Sequence, residues 1–281
     1  MAAQDLIDLA LMKPEDERAK AARTYNSASD RYDDPANSFW ERFGRRTVER
    51  LNLQPGMRVL DVCCGSGASA LAAAEFVGQT GFVLGIDLAE NLLDLARRKA
   101  ARRGFNHTEF RTGDMLNLDI QGADFDAVVC VFGIFFVSDM TAAVRQLWQR
   151  VKAGGYLAIT TWGPRFFEPI NTEFWNSVRE LRPDLYKGFH PWDRVAEPEL
   201  LSALLIEAGA NEPRAVLENG THALRTPDDW WTMVLGSGYR ATVDQLNATD
   251  QEQVRRQNLE FIRSHEIRAV EANVIYGVAI N

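Results

Sequence analysis

Residues 57–70 read MRVLDVCCGSGASA, an apolar run that reaches a carboxylate and then passes through small residues and two glycines into an alanine-rich segment. Residues 57–62 have the continuous apolar character of a buried strand, 63–67 (CCGSG) form a tight loop, and a helix is expected from about Gly67 to Val77. The alternation continues downstream. FVLGID (82–87) reads as a second strand, and Leu88, Leu92, Leu95 and Ala96 then recur at helical spacing before a basic end at Arg97 to Arg103. TEFRTGD (108–114) and DAVVCVFG (126–133) supply third and fourth strands. Met140, Ala143, Val144, Leu147, Trp148 and Val151 mark one helix face, and GGYLAITTW (154–162) is a fifth strand. Strands that alternate with helices imply an α/β chain with a parallel sheet covered on both faces.

After Trp162 the rhythm breaks. Residues 163–192 carry many aromatics with no steady period and read as an inserted cap. The pattern resumes with a helix near 197–208 and a strand near 214–218. Helices at 227–235, opened by Thr226-Pro227, and at 251–264 follow, then a last strand in ANVIYGVAI (272–280). No linker is long enough to divide the chain, so the expectation is one domain over 1–281. Residues 1–50 would form an N-terminal helical lid, and 163–196 and 220–268 cap insertions over a substrate chamber.

The loop ending in Gly65-Ser66-Gly67, with Ala70 beyond, fits a loose glycine pattern used by two ligand classes, dinucleotides and S-adenosylmethionine. Asp61 separates them, because a carboxylate before the first glycine opposes a pyrophosphate but complements the ammonium of a methionine moiety. Cys64, Ser66 and Ala68 are small enough to leave that approach open. Asp87, ending the second strand, is placed to accept ribose hydroxyls in either class. Asp114, after the third strand, is placed to accept from an adenine amino group, with Leu88 and Met115 as apolar walls.

On VLDVCCGSG, Asp87 and GDMLNL (113–118), residues 25–162 resemble a class I S-adenosylmethionine-dependent methyltransferase, nearest to the ubiquinone/menaquinone-biosynthesis methyltransferase family. The resemblance implies a Rossmann-like seven-stranded sheet in the order 3-2-1-4-5-7-6 with strand 7 antiparallel. It implies S-adenosyl-L-methionine as cofactor, with the loop residues Cys63, Gly65, Ser66 and Gly67 at the site. It also implies that Val131 and Phe132 flank the cofactor, and that Tyr25 and Tyr32 fold over it. The match fades after Trp162, so the acceptor does not carry over.

Composition narrows the function further. A chain with 46% hydrophobic and 25% charged residues is globular, and its net charge of -8 disfavours nucleic acid and suits a cationic ligand better. Three cysteines, two of them adjacent, exclude a disulfide scaffold and point to a reducing, cytoplasmic setting. The N-terminal apolar stretch meets charge by Lys13, and no later run reaches membrane-span length, so stable membrane insertion is not expected. No metal site is expected: Cys63 and Cys64 lack ligand partners, and no carboxylate cluster follows strand five. The sequence leaves monomer and homodimer open.

The expected activity is methyl transfer to oxygen or carbon of an apolar small molecule, aromatic, polyketide-like or quinone-like. Trp162, Phe166, Trp230 and Tyr239 are candidate acceptor contacts, with Phe132 as a further wall. A general base is sought first in His222, then in His190, with Tyr239 in reserve. His107 is expected in solvent, and His265 at a helix C-terminus. A nicotinamide-dependent oxidoreductase is the rival enzyme, disfavoured by Asp61 and Asp114, and a non-catalytic S-adenosylmethionine-binding protein is the rival binder.

Overall fold

A computed structural model describes residues 14–120 and 125–281. The apolar stretch before Lys13 and the first thirteen residues of the expected lid lie outside the described residues. The large sheet holds β1 (Arg58–Val62), β2 (Phe82–Asp87), β3 (Thr108–Thr112), β4 (Phe125–Val131), β5 (Val151–Trp162), β6 (Arg214–Glu218) and the last strand of the chain, β9 (Val274–Ile280). Their order is β3-β2-β1-β4-β5-β9-β6. β9 runs antiparallel to β5 and β6, whereas β1 to β5 pair in parallel. This is the expected methyltransferase topology, with the terminal segment as the reversed seventh strand.

Side chains alternate along each strand, so the sheet is apolar on both faces. Val59, Val83, Ala127, Val129 and Ala158 pack beneath α3 (Ala68–Val77) and α4 (Glu90–Arg103). Leu60, Leu84, Val128, Leu157 and Ile159 face the other way, toward α5 (Met140–Trp148) and α7 (Pro198–Glu207). The alanines of α3 let it lie low enough for α2 (Phe39–Val48) to cross its start. A Cβ on Gly44 would stand 2.8 Å from the Ser69 amide nitrogen, so that crossing requires glycine. His107 is buried rather than solvated, its Nε2 lying 3.0 Å from the Ala74 carbonyl. His265 ends the last long helix, Nδ1 3.0 Å from the Phe261 carbonyl.

Two segments depart from the alternation. Residues 163–196 contain a regular helix, α6 (Ile170–Leu181), which buries Ile170, Phe174, Trp175 and Val178 on one face. From 221 to 271 the chain leaves the sheet as β7 (Thr221–Ala223), folds into α8 (Pro227–Leu235), α9 (Arg240–Val243) and α10 (Ala248–Ser264), and returns as β8 (Ala269–Glu271). β7 and β8 pair antiparallel and clasp the base of this excursion. Ahead of everything, α1 (Pro14–Tyr32) lies against both α4 and the cap helices α8 and α9. Among the described residues no helix is long and apolar enough to cross a membrane.

One buried amide helps to join these two segments. Asn258 of α10 accepts from Trp230 Nε1 at 2.8 Å and donates to Ser177 Oγ of α6 at 3.1 Å. Asn258→Ala strands the indole N–H in an apolar layer, which costs about 2–3 kcal/mol. The expected outcome is a melting temperature lower by roughly 4–12 °C, since about 2–4 °C are lost per kcal/mol in chains of this size. An unchanged melting temperature would show that the amide joins nothing.

Candidate active site

The C-terminal ends of β1, β2 and β4 open on one edge of the sheet, where ligands of open α/β sheets bind. A cavity of about 80 Å³ there is lined by Asp87, Leu88, Asp114, Met115, Val131 and Phe132, with Cys63, Tyr25 and Tyr32 closing it. A larger cavity of about 390 Å³ adjoins it. The two share Ala21 and Tyr25 of α1, Trp40 of α2, and Phe136 in their walls.

Asp87 organises the smaller cavity. Its Oδ2 accepts the Gly65 amide at 2.8 Å and its Oδ1 the Ala89 amide at 2.8 Å, so it pins the glycine loop and starts α4 at once. Burial pushes its carboxyl above the ordinary range, and those amides pull it back. Cys63 (φ 60°) and Phe132 (φ 55°) hold left-handed backbone at the ends of β1 and β4, the kind of stored strain that gathers at ligand sites. Gly65 (φ 52°) and Gly67 (φ 85°) take the same region without strain.

Several of the expected contacts stand elsewhere. Asp61 is 1% exposed and outside both cavity linings: it accepts from Ser69 Oγ at 2.6 Å, behind the loop, and serves the first turn of α3. Its Oδ1 has no partner among the described residues. Ser66 is buried between Asp33, which it reaches at 2.6 Å, and Lys99 at 2.9 Å. Tyr32 covers Gly65, its hydroxyl lying 3.1 Å from where a Cβ would be. The open face of the glycine loop is therefore occupied by α1 and the residue after it, and that cover has to shift before a ligand can touch Gly65, Ser66 or Gly67. At the far end of the cavity Asp114 is ion-paired with Arg18 of α1.

In the larger cavity Trp162, Phe166, Tyr239 and His190 come together as expected. His222 and Trp230 do not line it. His222 sits on β7, 6% exposed, edge-on to Phe39 with Nε2 2.8 Å from the Ala36 carbonyl, and burial lowers its pKa. That ring fastens the clasp to the chain before α2. Trp230 is fully buried behind the wall, against Tyr239 and Phe167. His190 stacks on Trp192 at 4.6 Å, and burial with Lys187 nearby lowers its pKa to about 4. Tyr239 donates to Asn171 Oδ1 at 2.6 Å, and burial raises its pKa, so it is a donor rather than a base at neutral pH.

Sequence reading missed Trp40. It stacks on Tyr32 at 5.1 Å, meets Phe132 edgewise and lies tilted against Trp162, joining the walls of both cavities. Its signal was the apolar face Phe39, Trp40, Phe43 in FWERFG. Arg18, Lys20, Asp33, Lys99 and Lys187 were missed too, because isolated charges carry no periodicity.

A profile of the ubiE/COQ5 methyltransferase family matches residues 13–181, more than half of the chain. The chain belongs to that family. Demethylmenaquinone methyltransferase of Anoxybacillus flavithermus is 34% identical over 137 residues, covering 47% of this chain and 58% of that protein. The same enzyme of Oceanobacillus iheyensis is 37% identical over 109 residues, covering 39% and 46%. The chain thus spans about half the length of the curated relatives it matches. Among solved structures, an S-adenosylmethionine-dependent methyltransferase from Aquifex aeolicus superposes with a TM-score of 0.53 at 23% identity, covering 68% of this chain and 91% of that one. The [4+2]-cyclase SpnF superposes equally well, 0.53 at 20% identity over 85% and 80%, so this likeness speaks for the fold alone.

For this family member the cofactor is S-adenosyl-L-methionine, and the chemistry of the residues lining the smaller cavity suits a nucleoside, although at about 80 Å³ the cavity is closed down beneath α1. A carboxylate stands at the end of β2, a second stands at the end of β3, and Leu88 and Met115 offer apolar faces between them. Asp87→Asn removes the charge but keeps an acceptor for Gly65. It should weaken S-adenosylhomocysteine binding by about tenfold or more, from the loss of charge-assisted bonds worth about 1.5–3 kcal/mol each. Calorimetric titration reads this, and an unchanged dissociation constant would remove Asp87 from the site.

Asp61 gives a separate handle. Burial raises its carboxyl to about 7. Between about pH 4, where it titrates in the unfolded chain, and pH 7, the folded chain holds a proton that the unfolded chain releases. Stability should fall as pH rises through that window, and Asp61→Asn should flatten the slope in urea titrations. Equal slopes for both proteins would contradict the buried placement of this carboxyl.

Proposed function

We propose that the chain transfers a methyl group from S-adenosylmethionine to an oxygen or carbon of an apolar small molecule, aromatic, polyketide-like or quinone-like. The observation that carries this reading is the pair of adjoining cavities, one at the strand ends lined by Asp87, Asp114, Leu88 and Met115 and an aromatic one that shares its walls. The cofactor supplies a sulfonium-activated methyl group. The chain's own residues supply position and dryness.

Trp40, Phe132 and Trp162 form the apolar partition, Phe132 and Trp162 stacking at 4.0 Å, and they exclude water from the space between the cavities. Fixing two reactants across such a partition accounts for much of the rate advantage available to a bimolecular transfer. An apolar wall also favours loss of positive charge over its retention, in keeping with a reaction that discharges a cation. Residues 163–196 and 220–268 are read as the cap over the acceptor, and the described part of residues 1–50 as a lid that shifts off the glycine loop.

His190 is the better placed base. It lines the acceptor cavity and is neutral at pH 7, so it can take a proton from an acidic hydroxyl or carbon, although its low pKa makes it a weak base. His222 has a structural partner and lies outside. His190→Ala should lower turnover by about 100-fold with cofactor binding intact, because positioned bases contribute roughly 10²–10⁴. The acid limb of the wild-type pH–rate profile should lie well below neutrality, near pH 4 in the free protein. His222→Ala should change melting temperature more than turnover. Methyl transfer from labelled cofactor to a panel of phenols, naphthols and quinols tests the activity, and the reverse pattern between the two histidines would reject this assignment.

A further inference from the structure

The acceptor cavity is cationic in a chain whose net charge is -8. Lys20, Lys187 and Arg194 line it, and among the described residues no aspartate or glutamate does. Arg194 is tied to the carbonyls of Phe135 at 2.9 Å and Val137 at 3.0 Å, which holds its charge in the wall. Lys187 stands over the Trp175 ring, 5.6 Å from its centroid, and forms no salt bridge with a carboxylate among the described residues. Lys20 approaches from α1 across the mouth and likewise forms none. The acids that flank Lys187 along the chain are engaged elsewhere, Asp184 with Arg182 at 2.6 Å and Asp193 with the His190 amide at 2.7 Å.

Lys187 is drawn partly out of water and is repelled by Lys20, which stays exposed on α1, and proteins accept such a cost where a counter-charge arrives with a ligand. The effect is visible in Lys187, whose pKa is lowered to about 8 by burial and then by Lys20. His190 is pushed down by burial first and then by Lys187. A neutral hydrocarbon would leave Lys187 without a counter-charge among the described residues, and a cationic acceptor would add to the repulsion.

We propose that the acceptor is an aromatic anion, a small fused-ring molecule whose acidic group sits between Lys20 and Lys187 while its rings pack on Trp162, Phe166, Trp175 and Trp192. A cavity of about 390 Å³ is within the size range of sites for compact ligands. The aromatic walls select flat rings, and the lysines orient them by one end, so that the opposite end faces the partition with the cofactor cavity. This inference rests on the methyltransferase reading for the word acceptor. The anionic preference of the cavity stands on its own geometry.

The test uses the full chain and four probes of one shape: 2-naphthoate, 2-naphthyl phosphate, the neutral 2-naphthamide and the cationic 2-naphthylmethylammonium. Each is titrated calorimetrically, with S-adenosylhomocysteine titrated into the same preparations. The expected result is that one or both anions bind roughly tenfold or more tightly than the amide, and the cation more weakly still. The better of the two anions tells a carboxylate from a phosphate acceptor. The preference should collapse in Lys187→Met and in Lys20→Met and persist in Lys187→Arg, with circular dichroism confirming that each variant is folded.

Equal binding of the amide and the anions, or a preference that survives both methionine variants, overturns the proposal. If that happens while S-adenosylhomocysteine still binds, the acceptor class falls and the methyltransferase reading stands. If the anions are preferred but S-adenosylhomocysteine does not bind, the methyltransferase reading falls and the anionic site stands.

Discussion

The carboxylate of Asp87 accepts the amide protons of Gly65 and Ala89, and through them it ties the end of β2 to the loop after β1 and to the first turn of α4. Every other part of the site is placed relative to that knot. The loop can be tight only because glycines take its left-handed positions, and α3 can follow closely only because its buried face is alanine. Cys63 and Phe132 accept the strained backbone that these short connections leave. The result is a strand edge with polar groups at two points and apolar walls between them, suited to a nucleoside.

Over that edge lies a largely polar helix whose packing is concentrated in Tyr25, Ala28 and Tyr32. α1 is held by Arg18 on Asp114, by Asn26 on Asn91 at 2.9 Å, and just beyond its end by Asp33, which Ser66 and Lys99 both reach. On its other side Ser27 donates to Asp244 at 2.7 Å, and Arg240 reaches Asp30 at 3.2 Å. Ion pairs and hydrogen bonds at partly exposed positions are individually weak, so such a cover can exchange its partners for those of a ligand at small cost. Asp114 illustrates the exchange: an acceptor now satisfied by a guanidinium is the acceptor expected for an adenine amino group.

The fold was legible because alternation and loop chemistry are local. The apolar runs at 58–62, 82–87 and 125–131, each followed by a helix, leave little choice but a parallel sheet, and Pro227 after Thr226 marked the start of α8 to the residue. The helix α6 escaped notice because Phe166, Phe167, Phe189 and Trp192 surround its own apolar face and blur its period. β7 and β8 are three residues each, too short for alternation to show. Among site residues, Asp87, Leu88, Asp114 and Met115 were readable because strand ends converge on one edge. Asp61, Ser66, His222 and Trp230 were misplaced because a polar or aromatic residue near a site can equally serve behind it, and only three-dimensional partners distinguish the two. The charge of the larger cavity was invisible for a related reason: the net charge of -8 describes the whole chain, whereas Lys20 and Lys187 come together from segments 167 positions apart.

The central claim is that Asp87 anchors a nucleoside at the strand ends beneath a cover that must shift. A crystal structure of the chain with S-adenosylhomocysteine addresses it most directly. The account predicts ribose hydroxyls on the Asp87 carboxylate, the base between Leu88 and Met115 with its amino group toward Asp114, and Tyr32 displaced from Gly65. A nucleoside bound elsewhere, or one bound there with Asp87 out of reach and Tyr32 still over Gly65, would contradict it.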